Sequence, residues 1–267
     1  MKKLATLIAV AGLIGTPAIA ADMAVKARPP LPAPVHRWTG FYVGVNAGWN
    51  WTTASTTTQV ATSLTNTSFP DSANGNGAIG GVQFGYNWQT ISNWIAGIEA
   101  DFQVSGANAT SNSHQLRLNP GLFGAVTTES FAHTHSLDWL GTVRGRLGYA
   151  FSKDFMLYAT GGLAYGQVTE STPALFTRTL ITFPPNITTA NTVFEASAVR
   201  TGWTAGGGIE SAVPNAPVSW KLEYLYVNLA SANFSFTGTI LGLPVTNTTT
   251  STLADHIVRI GLNWHLN

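Results

Sequence analysis

The sequence predicts an all-β protein: an eight-stranded antiparallel up-and-down transmembrane β-barrel with four long extracellular loops. Three observations carry that prediction. Apolar and polar residues alternate with period two through eight separate segments, the mark of strands with one apolar face. The connections between those segments are alternately short and long. The aromatic residues fall in two rows, ten residues apart along several of the strands.

The chain opens on a segment that precedes the fold. Lys2 and Lys3 give a charged start, an apolar run follows to Gly15, and Ala18-Ile19-Ala20 supplies an A-x-A cleavage signal. Residues 1–20 therefore read as a secretory signal peptide cleaved by way of Ala18 and Ala20, its apolar run being too short for a membrane helix. Residues 21–37, with the prolines from Pro29 to Pro34, read as an extended periplasmic tether, and residues 38–267 as the barrel. Removing residues 1–20 takes Lys+Arg from 13 to 11 against 12 acids, a mature net charge of −1. That balance, with the export signal, argues against a nucleic-acid partner. No cysteine is present, so no disulfide framework follows export. Only 9% of residues are charged, against about 25% in soluble proteins.

The strands follow in order. The first sets Phe41, Val43, Val45, Ala47, Trp49 and Trp51 against Tyr42, Gly44, Asn46, Gly48 and Asn50. The second turns Val82, Phe84, Tyr86 and Trp88 one way and Gly81, Gln83, Gly85 and Asn87 the other. The third opposes Trp94, Ile98 and Phe102 to Glu99 and Asp101, and the fourth Trp139, Val143, Leu147 and Tyr149 to Arg144 and Arg146. The fifth runs Phe155, Leu157, Leu163, Tyr165 against Tyr158, Thr160 and Ala164; the sixth runs Trp203, Ala205, Ile209 against Thr204 and Glu210. The seventh sets Val218, Trp220, Leu222, Tyr224 and Tyr226 against Lys221 and Glu223, and the eighth Val258, Ile260, Leu262, Trp264 and Leu266 against Arg259, Asn263 and His265.

Three connections are short (89–93, 151–154, 212–217) and four long (52–77, 105–136, 171–200, 229–255). Short periplasmic turns and long extracellular loops produce that order. Within the long loops, the stretches flanking Pro184-Pro185-Asn186 and those flanking Gly242 and Pro244 read as strand extensions standing above the membrane. Phe41, Trp88, Trp94, Tyr149, Phe155, Trp220 and Trp264 lie beside the short turns and chain ends; Trp51, Phe102, Trp139, Tyr165, Trp203 and Tyr226 lie beside the long loops. Ten residues of tilted strand rise about 25 Å, the spacing of two interfacial aromatic girdles.

Every ionisable residue of these strand cores falls on the non-aromatic face: Glu99, Asp101, Glu210 and Glu223 against Arg144, Arg146, Lys221 and Arg259. An Arg or Lys facing lipid at mid-bilayer costs roughly 2–4 kcal/mol, so this face is the lumen. An eight-stranded barrel is just wide enough to be filled by side chains, so the balanced charges predict a charge-paired plug rather than an acid/base couple. Adjacent strands offer Glu99 and Asp101 to Arg144 and Arg146, and set Glu223 and Lys221 facing Arg259. A narrow solute or ion path is the alternative.

Other motifs carry less. Gly75-Asn76-Gly77-Ala78-Ile79-Gly80 matches G-x-G-x-x-G but leads from a long connection into a strand, with no helix to receive a phosphate. His133-Thr134-His135 offers two metal ligands without visible companions and reads as two solvated loop histidines, so neither metal nor cofactor is expected. His114, His133 or His135 with Glu129 and the loop serines sketch a rim-based lipid-modifying enzyme, a third reading at the level of chance in loops so rich in serine.

Three stretches carry a family resemblance: Ala21-Asp22-Met23-Ala24-Val25-Lys26 with the following prolines, Trp38-Thr39-Gly40-Phe41-Tyr42-Val43-Gly44, and His256 to Trp264. They resemble the mature start, first strand and closing strand of the small porin-like outer-membrane proteins of alphaproteobacteria, often called outer-membrane immunogenic proteins. The resemblance implies an abundant envelope protein of a Gram-negative outer membrane, described in some members as a porin and in others as a surface antigen. That family usually closes on Phe as an assembly signal, whereas Leu266 holds the outward position here, leaving Trp264 to substitute or insertion to be less efficient. The expected partners are outer-membrane lipid and lipopolysaccharide, the barrel-assembly machinery during insertion, and host or environmental ligands at the loops. The expected function is envelope structure and a surface-exposed loop face.

Overall fold

The computed structural model describes residues 37–62, 66–90, 92–119, 125–180, 186–240 and 243–266. Eight strands follow in chain order: β1 (Gly40–Thr62), β2 (Asn66–Gln89), β3 (Trp94–Asn119), β4 (Ala125–Ala150), β5 (Phe155–Leu180), β6 (Asn186–Ala212), β7 (Val218–Ile240) and β8 (Leu243–Leu266). Each pairs antiparallel with its sequence neighbours, and β8 returns to β1 from Phe41↔Leu266 to Thr62↔Val245, closing the barrel. The signal segment with Ala18 and Ala20, the tether up to residue 36, and Pro184, Pro185 and Gly242 lie outside the described residues.

The outward wall holds the expected apolar set. Leu163 is 69% exposed and Phe84 64%, and such side chains run continuously around the barrel, far beyond the isolated apolar patches of a water-facing surface. Trp94 and Tyr149 meet at 5.3 Å in the lower row; Phe102 stacks on Trp139 at 5.6 Å and Trp203 meets Tyr226 at 5.3 Å in the upper one. The lower turns are tight. Val213 N–H donates to Val218 O at 2.8 Å, and Asn215 takes the left-handed φ of 60° that asparagine tolerates well.

The long connections are themselves strand. The extensions expected in β5–β6 and β7–β8 are present, with pairing up to Leu180↔Asn186 and Ile240↔Leu243. The reading of 52–77 and 105–136 as loop is corrected: β1 and β2 pair as far as Ala61↔Asn66, and β3 and β4 as far as Asn119↔Ala125. Gly75 and Gly77 consequently lie inside β2, against the backbone of β3, not in a loop. The physical reason is that many of the inward positions there are themselves polar, such as Thr52, Thr56, Thr58, His133 and His135. Their Thr- and Ser-rich strands keep β geometry while losing the apolar alternation that reveals it.

Pairing is complete around the lower barrel but not above it. Among the described residues β2 and β3 pair only below Asn74↔Thr110, and β6 and β7 only below Gly202↔Leu229. The upper part is thus two four-stranded sheets, β7-β8-β1-β2 and β3-β4-β5-β6. Irregularities in register fall near this level, at Val104/Ala107, Leu137/Trp139 and Leu229/Ala232. Such bulges bend a strand away from its partner.

Candidate functional site

The interior is layered, and each layer follows from which parity a strand turns inward. At the lower mouth Trp38 is buried with Ile95, Ala150, Met156, Tyr158 and Ala212. Its indole meets the His265 ring edge-on at 6.1 Å.

Above this floor the eight predicted lumen charges form one connected network. Glu99, on β3, is its hub. Lys221 Nζ donates to both of its oxygens at 2.9 and 2.8 Å, Tyr42 Oη donates at 2.7 Å, and Arg144 Nη2 donates as well. Asp101 accepts from Arg144 Nη2 at 2.9 Å and Arg259 Nη2 at 2.8 Å. Glu223 accepts from Arg259 Nε at 2.7 Å, Arg144 Nη1 at 3.2 Å and Tyr158 Oη at 2.8 Å. Glu210 accepts from Arg146 Nη2 and Ser219 Oγ, both at 2.6 Å, and from Asn263 Nδ2 at 2.8 Å. All eight residues are buried. Two pairings expected across β3–β4 and β7–β8, Glu99 with Arg144 and Glu223 with Arg259, are direct contacts.

Tyr42 and Tyr158 belong to this network, although the aromatic residues of the two rows face outward. Arg146 lies over the Tyr158 ring at 4.1 Å and donates to Tyr42 Oη at 3.0 Å. Gly85 makes the room: a Cβ there would stand 2.4 Å from Tyr42 Oη and 2.6 Å from Ile98 O. The signal available in sequence was the parity itself, since both tyrosines sit among inward residues.

Over the charges lies an apolar layer that includes Leu137, Leu140, Val168, Leu225, Leu229 and Ile257. It was missed because these residues fall beyond or beside the segments with clean alternation. Leu225, Val227 and Leu229 continue the inward parity of Lys221 and Glu223, so β7 becomes apolar on both faces there.

A second polar layer joins the two upper sheets. Glu170 on β5 accepts from Arg200 Nη2 and Ser251 Oγ, and lies 3.3 Å from His135 Nδ1. His135 Nε2 and Thr56 Oγ1 are 3.1 Å apart. His133 and His135 are therefore not solvated loop histidines: both are buried on β4, because the residue added at the Leu137/Trp139 bulge turns odd positions inward. Burial pushes the Glu170 carboxyl up, but hydrogen bonds from His135 and Ser251 with the Arg200 charge hold it below the usual carboxylate range. Burial, with His135 beside it, pushes the His133 ring down. Among the described residues no group of three or more metal-ligating side chains converges. His114 and Glu129 fall on the upper parts of β3 and β4, away from His133 and His135 in register.

Residues 7–265 match the outer membrane protein beta-barrel domain. The chain is 34% identical to the 31 kDa outer-membrane immunogenic protein of Brucella melitensis, over 97% of each chain. It is 26% identical to the 25 kDa outer-membrane immunogenic protein of Brucella abortus, over 83% of this chain and 82% of that one. Among solved structures it is similar to Ail, the attachment invasion locus protein of Yersinia pestis, at 12% identity and a TM-score of 0.28, over 81% of this chain and 99% of that one.

Proposed function

Because the chain belongs to the outer membrane protein beta-barrel domain family, and so lies in the outer membrane of a Gram-negative bacterium, we propose that it is a non-enzymatic envelope protein with a plugged lumen. Its role is structural, and its upper hairpins form the antigenic and interacting surface. One observation carries the plug: Arg144, Lys221 and Arg259 are fully buried at the centre of the barrel, each held by carboxylates from other strands. A water-filled path through the barrel would leave such groups solvated. The relatives' names, outer-membrane immunogenic proteins, support the surface role. Outer-membrane lipid and lipopolysaccharide are the proposed surroundings, and the barrel-assembly machinery the partner during insertion.

Planar-bilayer recording of the purified protein tests this. A closed lumen gives no stable unitary steps. Steps that change on replacing Arg144 and Arg146 by glutamine would overturn the plug in favour of a narrow porin. Lipid A of unchanged mass on expression is the expected result for a non-enzyme, and an altered mass would refute it.

A further inference from the structure

The two divisions in the upper barrel wall differ. At the β2–β3 division the free edge carries Pro70 and Asp71, and Asp71 accepts a hydrogen bond from Ser111 across the gap. Proline and charge are common means of blunting a strand edge. Among the described residues the β6–β7 division carries no proline on either edge, and its one acid, Glu195, is exposed on the outer face. Above Gly202↔Leu229, among the described residues, 186–201 pair only with β5 and 230–240 only with β8. Neither segment contains Pro or Lys, and 230–240 contains no charge at all.

A half-open cavity of about 440 Å³ occupies this division, lined in part by Glu170, Val193, Glu195, Phe234 and Asn247. Val193 and Glu195 have exposed side chains on the outer face, so what they bring to the cavity is their backbone edge. Val193 stands opposite Pro173, which has no N–H to donate. Opposed antiparallel residues either exchange both hydrogen bonds or neither. The Val193 N–H and C=O therefore point away from β5, into the cleft, and Glu195 and Ser197 repeat that direction. At the floor Arg200 stacks 5.5 Å from the Phe234 ring centre. Asn247 is 8% exposed, and its inward Oδ1 has no hydrogen-bond partner among the described residues. Arg200 is neutralised by Glu170, while no cation pairs with Glu195 among the described residues.

We propose that this cleft takes an extended segment of an external polypeptide, bearing a cationic side chain, which adds as a strand to the β6 edge. The proposal deepens, and rests on, the reading of the upper hairpins as an interaction surface. Unpaired backbone groups supply the affinity, as in other strand-addition complexes. Glu195 selects for a cation, and Asn247 Oδ1 accepts from a donor reaching inward.

The test uses the full protein in lipid nanodiscs and a short capped peptide alternating valine and threonine with one lysine. Its control is the same peptide N-methylated at every second residue, which keeps the side chains and loses one hydrogen-bonding edge. The plain peptide should shift and protect the Val193, Glu195 and Ser197 amides. The methylated one should bind about ten-fold more weakly or worse, as expected for one or more lost hydrogen bonds. Val193→Pro, which removes a cleft-facing donor and leaves the β5 ladder intact, should weaken binding by a similar factor. Glu195→Lys should weaken it as well. If Val193→Pro lacks the heat-modifiable mobility of a folded barrel, Glu195→Lys and the methylated peptide decide. Equal binding of both peptides, protection elsewhere on the barrel, or no binding at millimolar peptide would overturn the proposal. So would concentration-dependent pairing of two copies that Val193→Pro abolishes. Conductance does not enter this result, so the plug and the cleft stand or fall separately.

Discussion

A single carboxylate shows how the lumen is held. Glu99 receives an ammonium, a guanidinium and a phenol from three other strands within a site closed to solvent. Burying an ion costs several kcal/mol, which only its partners offset, so removing one member of such a set costs more than the pair contributes. Glu99→Gln leaves Lys221 and Arg144 short of a counter-charge, and urea unfolding in lipid vesicles should lose roughly 3–5 kcal/mol. Adding Lys221→Met restores the charge balance and should recover part of that loss; a double variant no better than the single would show the two residues to be uncoupled. Gly85→Ala acts on the same hub by displacing Tyr42, at a cost of about 1–3 kcal/mol typical of overpacking, visible as a lower unfolding midpoint. At this scale the eight charges were legible because lipid excludes them from one parity. Tyr42 and Tyr158 were legible only as exceptions, since an aromatic residue on a barrel strand by default faces the membrane.

Strand number and order were plain in the sequence, but strand length was not. Alternation disappears in Thr52–Thr58 because threonine and serine lie outside and threonine with one alanine lies inside, leaving no apolar contrast to read. The bulge between Leu137 and Trp139 then reverses parity, which hid His133 and His135 from a period-two reading. The layer these histidines enter has its own pH dependence. Glu170 is depressed when folded, so its contribution is present above the ordinary carboxylate pKa and disappears as pH falls through the depressed folded value. His133 is also depressed; the unfolded ring takes up its proton first, so stability declines as pH falls below about 6.5 toward the folded value. Both signs agree: acid loosens the contact between the upper sheets. Amide exchange around His135, Glu170 and Ser251 should accelerate progressively from near-neutral to acid pH, while that of Val43 and Val45 stays unchanged. Glu170→Gln should reduce the acid-side part of that dependence, leaving the part that begins near neutrality.

For the whole molecule, closure of the ring separates two kinds of backbone. Below Gly202↔Leu229 every strand has two partners; above it, among the described residues, four edges are free. Local opening follows the number of bonds and apolar contacts that must break together. The upper sheets should therefore open without the ring, and the layer around Leu137, Leu140, Leu225 and Leu229 is where the two regions join. Leu225→Ala tests that joint. Leu225 is fully buried and fills space left by Gly206, whose Cβ would come within 2.9 Å of it. Its truncation should cost about 2–5 kcal/mol, as for other large-to-small changes in packed interiors. The loss should appear as faster exchange at Thr56, His135 and Ser251, with little change at Val43 or Leu262. The charge network below anchors the lower strands independently of this layer. If exchange instead rose equally at both levels, ring and sheets would form one cooperative unit, and the apolar layer would be part of a continuous core rather than a joint between two.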